Sequence, residues 1–92
     1  MSNKKSTHLY ILSCDGKIKI GITSDFDKRI AALQTGNPSK IVLEYIEERL
    51  NPQGAEKYLH RCFGAYRLEG EWFKNISVDM IRSRLMLYFD QD

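Results

Sequence analysis

His8-Leu9-Tyr10-Ile11-Leu12-Ser13-Cys14, then Asp15-Gly16, then Lys17-Ile18-Lys19-Ile20-Gly21-Ile22-Thr23 is the stretch on which the fold turns. Two runs rich in β-branched and aromatic residues are separated by a two-residue Asp-Gly step. Both positions of such a step accept positive φ, the strongest short signal for a β-hairpin. The loop length fixes the register, pairing Cys14 with Lys17, Leu12 with Lys19, Ile11 with Ile20 and Tyr10 with Gly21. Side chains alternate, so Leu9 and Ile11 share a core-facing side with Ile18, Ile20 and Ile22. His8, Tyr10 and Leu12 stand on the other side against Lys17, Lys19, Gly21 and Thr23, a face expected to be half exposed. Gly21 interrupts its strand, which marks a bulge or the close approach of another group.

Working outward, residues 1–7 read as a flexible lead-in and 8–92 as one domain. Downstream of the hairpin, Ser24 reads as a helix N-cap with Asp25 and Asp27 in the first turn, and Gly36 as the stop. Asn37-Pro38 makes a turn, and Lys40 to Glu48 reads as a third strand. Asn51-Pro52 opens a second helix through Phe63, with proline at the first helical position. Glu71-Trp72-Phe73 is a short extended piece, and Ser77 caps a last helix to about Phe89. The order is β-β-α-β-α-(β)-α. The expected class is α+β, a small antiparallel three-stranded sheet flanked by three helices.

The 92 residues carry fourteen Lys/Arg against twelve Asp/Glu, with 42% hydrophobic and 28% charged residues. That composition excludes a disordered tail, a fibre and a membrane-spanning protein, whose helices need about 20 consecutive apolar residues. No signal-type apolar stretch follows the N-terminus, so a cytoplasmic location is expected. A net charge of +2 permits a phosphate partner without indicating one. Cys14 and Cys62 form no C-x-x-C pair, which argues for free thiols.

Helical geometry sorts the remaining polar residues. In the first helix Phe26, Ile30 and Leu33 share a buried face, with Arg29 at its edge and Lys28 in solvent. In the second, Ala55, Leu59, Cys62 and Phe63 face inward beside Tyr58. Glu56 and His60 lie one turn apart on a flank, a spacing that can share a metal or a phosphate-bound water but more often marks a surface pair. The third helix buries Val78, Ile81 and Leu85, with Tyr88 and Phe89 near its end, and presents Arg82 and Arg84 to solvent.

Leu9-Tyr10-Ile11, followed by Lys19-Ile20-Gly21, by Arg29 in a helix, by Glu56 and His60 in a later helix and by Glu71-Trp72-Phe73, resembles the GIY-YIG endonuclease superfamily. The resemblance is to its small phage and bacterial branch, in which Lys-Ile-Gly replaces Tyr-Ile-Gly. It implies hydrolysis of DNA phosphodiester bonds by Tyr10, Lys19, Arg29 and Glu56. Tyr10 would be the general base, Arg29 the phosphate clamp and Glu56 the ligand of one Mg²⁺ or Mn²⁺ ion. Lys19 would supply the positive field that favours the Tyr10 phenolate. Gly21, Thr23 and His60 would be phosphate or supporting contacts. Many members carry a later Asn, for which Asn75 is the candidate here, while Glu71 is a candidate second acidic group and Trp72 a core anchor. The partner implied is DNA, with RNA as the other polymer, and a homodimer would be needed for double-strand cleavage. The rival reading is a non-catalytic nucleic-acid-binding or protein-interaction module on the same fold.

Overall fold

In the computed structural model, which describes residues 7–89, the Asp-Gly step does what its chemistry requires. Asp15 and Gly16 adopt φ of 54° and 78°, and the turn joins β1 (His8–Cys14) to β2 (Lys17–Thr23). The pairing runs from Cys14↔Lys17 through Leu12↔Lys19 and Tyr10↔Gly21 to His8↔Thr23, as the loop length dictates. Two edge strands complete the sheet: β3 (Val42–Glu48) on β1 and β4 (Trp72–Phe73) on β2. All pairings are antiparallel and the spatial order is β3-β1-β2-β4. The sheet thus has four strands where three were expected. Trp72 and Phe73 make ladder pairs with Lys19 and Ile18, a tertiary pairing too short to declare itself in sequence.

Three helices cover the sheet: α1 (Phe26–Thr35), α2 (Pro52–Cys62) and α3 (Val78–Phe89). The N-cap of α1 is Asp25 rather than Ser24. The Asp25 carboxylate accepts from the Lys28 backbone N–H at 3.1 Å, while Thr23 Oγ1 accepts from Asp25 N at 3.1 Å and shapes the entry. Asn51 and Ser77 cap α2 and α3 as expected, and α2 ends at Cys62 with Phe63 as its C-cap. β3 begins at Val42 rather than Lys40, because the Ile41 N–H is spent on the Gln34 side chain at 2.9 Å.

Residues 1–6 of the proposed lead-in lie outside the described residues. Thr7 belongs with the sheet, since its N–H donates to Thr23 O and its carbonyl accepts from Arg49 N.

Two cores result, one on each face. Leu9, Ile11, Ile18 and Ile20 pack against Ala55, Leu59, Phe63, Phe73, Ile81 and Leu85. On the opposite face Tyr10, Leu12 and Cys14 pack with Ile41, Phe26, Ile30, Leu33 and Trp72. That second face was expected to be half exposed. The amphipathic α1 lies over it instead, so Tyr10 and Leu12 are fully buried and Lys19 is 5% exposed. Trp72 is half buried at the rim of this core, and Phe73, not Trp72, is the fully buried anchor of its segment. Both cysteines are free, Cys14 buried and Cys62 partly so.

Candidate active site

Gly21 is the point about which the polar residues gather. A Cβ there would sit 2.5 Å from Tyr10 Oη and 3.0 Å from Glu71 Oε1. The missing side chain is therefore what admits the Tyr10 ring and the Glu71 carboxylate over the same patch of β2. Lys19, next on this face, directs Nζ to Glu71 Oε1 at 3.2 Å and lies 5.3 Å from the centroid of the Trp72 ring. A buried ammonium needs such a counter-charge.

Arg29 reaches the cluster from α1. Its Nε donates to Tyr10 Oη at 3.3 Å, and its terminal nitrogens have no partner among the described residues. It is a snorkelling arginine in form, with its guanidinium against the hydroxyl of the buried tyrosine. Burial pushes the Tyr10 phenol above its ordinary value of 10.0, and the hydrogen bond and charge of Arg29 pull it back in part. The expectation that Lys19 supplies the field on Tyr10 is therefore corrected. The Lys19 charge is committed to Glu71, and Arg29 is the cation that acts on the phenol.

Glu56 enters from α2, half buried. Desolvation first, and then the Glu71 charge and a shared proton with Glu71, raise its carboxyl from 4.5 to about 7, while Lys19 and Arg67 oppose the rise. Glu56 Oε2 is buried and has no hydrogen-bond partner among the described residues, while Glu71 Oε1, also buried, has only the Lys19 ion pair. Two carboxyl groups that face each other in a desolvated site cannot both ionise freely.

Of the expected residues, Tyr10, Lys19, Gly21, Arg29 and Glu56 converge on this cluster. Thr23 does not: its hydroxyl is held between the backbone N–H and carbonyl of Asp25. His60 is also occupied, donating from Nε2 to Ile20 O at 3.0 Å and meeting Phe73 edge-on at 5.0 Å. It ties α2 to the sheet rather than forming an exposed pair with Glu56. Asn75 is exposed at φ 63°, a left-handed turn that asparagine tolerates. Glu71 was only a peripheral candidate, yet the structure sets it between Lys19, Glu56 and Gly21. The signal that could have found it was the lysine in mid-strand, which demands an acid nearby. Arg67, which weighs on Glu56, gave no sequence signal.

The arrangement offers hard oxygen donors, a free guanidinium edge and a phenol within one patch. Among the described residues no group of three or more His, Cys, Asp or Glu could enclose a metal. Any ion would be held by Glu56, with Glu71 beside it, and would complete its shell with water or phosphate oxygens. The unpartnered carboxylate oxygen, Glu56 Oε2, fits a divalent cation of that kind, since Mg²⁺ accepts one or two carboxylates and keeps several waters.

A family model, the T5orf172 domain, matches residues 7–86, from the start of the sheet to within α3. The chain belongs to the T5orf172 domain family. That domain is found in phage and nuclease-like proteins. The match spans every residue of the cluster, so the T5orf172 region and the site are one unit. The chain matches no curated protein and no solved structure. No helix among the described residues of the T5orf172 domain is long and apolar enough to cross a membrane.

Proposed function

We propose that this T5orf172 domain is a metal-dependent endonuclease of GIY-YIG type that nicks DNA. The observation that carries the reading is the convergence of Tyr10, Arg29, Glu56 and Glu71 around Gly21, from β1, α1, α2 and the segment before β4. The terminal nitrogens of Arg29 would bind the scissile phosphate, where a planar, permanently charged fork suits two oxygens at once. Once Tyr10 has lost its own proton to solvent, its phenolate, stabilised by Arg29, would receive the proton of the attacking water. Burial makes that phenolate scarce at neutral pH, and the nearby Arg29 offsets the burial only in part. Lys19 holds Glu71 in place and neutralises part of the carboxylate charge that would otherwise repel DNA. Glu56, with Glu71 beside it, would hold Mg²⁺ or Mn²⁺, which supplies electrostatic stabilisation to the leaving oxygen when bound. One such site cuts one strand, and a homodimer or two sequential nicks would make a double-strand cut. RNA is the competing polymer.

The test is conversion of supercoiled plasmid to open circle with Mg²⁺ or Mn²⁺. EDTA, Glu56→Ala and Tyr10→Phe are each expected to lower the rate by at least 100-fold, the usual scale for losing an acid–base group. Unchanged nicking by either variant would overturn the assignment. A second reading, a nucleic-acid-binding module without turnover, is favoured by one observation, the upward shift of the buried Tyr10 phenol. It predicts retarded DNA in gels and no metal-dependent nicking.

A further inference from the structure

The face of the sheet that carries Tyr10 and Lys19 continues toward the hairpin turn into an open cleft. The cleft has a volume of about 700 Å³ and is bordered by Cys14, Lys17, Asn37, Ser39, Glu69 and Trp72. That size is typical of sites for small organic groups. Tyr10, Lys19, Arg29 and Glu56 do not line it, but Trp72 belongs to both regions. Its ring meets the Lys19 ammonium and also forms a wall of the cleft. Lys17 stands two residues from Lys19 on the same side of β2, a rise of roughly 7 Å. That is of the order of one nucleotide along an unstacked strand.

The cleft is pre-formed. Gln34 Nε2 donates to Ser39 O at 2.9 Å and to Asn37 O at 3.3 Å, and Gln34 Oε1 accepts from Ile41 N. Asn37 Oδ1 is filled by the Ser39 N–H at 3.0 Å and the Cys14 thiol at 3.6 Å. With its oxygen occupied, Asn37 has its amide N–H₂ left as a donor, Ser39 adds a hydroxyl, and Asp15 and Glu69 contribute acceptors. An aromatic wall with donors, acceptors and one cation is the chemistry that receives a nucleobase and its phosphate.

We propose that this cleft holds one unstacked nucleobase of the strand cut at the Tyr10–Arg29–Glu56 site. The base lies on Trp72, Asn37 and Ser39 meet its edge, and Lys17 meets the adjoining phosphate. The inference rests on the nuclease reading and deepens it. A base in an intact duplex cannot reach such a cleft without leaving its stack, so the substrate is single-stranded or locally unpaired.

Trp72 is the sole tryptophan, so its fluorescence reports the cleft directly. In EDTA, a single-stranded thymidine oligomer is expected to quench it. The same oligomer built of abasic tetrahydrofuran units should bind at least tenfold more weakly. Asn37→Asp keeps the oxygen that braces the loop and removes the amide donor, and it should shrink the ratio between the two affinities. Lys17→Ala should weaken both oligomers and leave the ratio unchanged. Equal affinity for the two oligomers, an undiminished ratio in Asn37→Asp, or duplex binding as tight as single-strand binding would each overturn the proposal. Plasmid nicking without quenching discards the cleft and keeps the nuclease. Quenching by the thymidine oligomer, with no nicking of any substrate, keeps the cleft and discards the nuclease.

Discussion

A single hydrogen atom at position 21 decides whether this site exists. Any side chain at Gly21 would collide with the Tyr10 phenol, and Tyr10 is fully buried with no free space to retreat into. Gly21→Ala is expected to cost about 1–3 kcal/mol, the usual scale for overpacking, and to abolish nicking; urea denaturation and the plasmid assay check the two effects. The sequence flagged Gly21 as out of place in a strand but could not say what approached it. Glu56 makes a pH prediction. Its carboxyl rises from 4.5 to about 7, chiefly by desolvation, so between those values the folded state holds a proton that the unfolded state has released. Stability from this group is full below about pH 4.5 and is lost as pH rises through 7. After solvent screening, the loss is on the order of 1 kcal/mol. Glu56→Gln should flatten the fall in urea-denaturation stability between about pH 5 and pH 8, measured in EDTA.

At the scale of elements, the hairpin and the caps of α2 and α3 were legible because their chemistry is local. Asp15-Gly16 needs positive φ, and Asn51-Pro52 satisfies a helix start, whatever lies elsewhere in the chain. α1 was legible as a helix but not as a lid. Its Phe26, Ile30 and Leu33 stripe says that it buries one face, and only the packed structure says that the face covers Tyr10 and Leu12. His60 illustrates the same limit. Its spacing from Glu56 left a surface pair or a shared ligand, whereas its ring bridges α2 to the Ile20 carbonyl and Phe73. His60→Ala is therefore expected to lower stability by about 1–3 kcal/mol, since it leaves a carbonyl without its partner. At saturating DNA the rate should be nearly unchanged. A circular-dichroism melt and single-turnover nicking separate these outcomes.

At the scale of the whole molecule, a net charge of +2 cannot hold DNA by a broad basic surface. Lys19 is neutralised by Glu71, which leaves Arg29 on Tyr10, Arg67 near Glu56 and Lys17 at the cleft as the cations by the site. Two or three phosphate contacts predict weak binding whose logarithm falls with the logarithm of salt at a slope of roughly 2–3. Fluorescence anisotropy between about 50 and 200 mM salt measures it, and a slope near 8 would point to a binding surface elsewhere.

The sequence by itself determined the hairpin, its register, the caps of α2 and α3 and the alternation that separates the two sheet faces. These follow from dihedral preferences and periodicity, which act within a few residues. Only the tertiary structure decided that both faces are buried, that a fourth strand completes the sheet, and that Glu71 stands between Lys19 and Glu56. Those outcomes depend on desolvation and charge pairing between segments far apart in the chain, which no local pattern records.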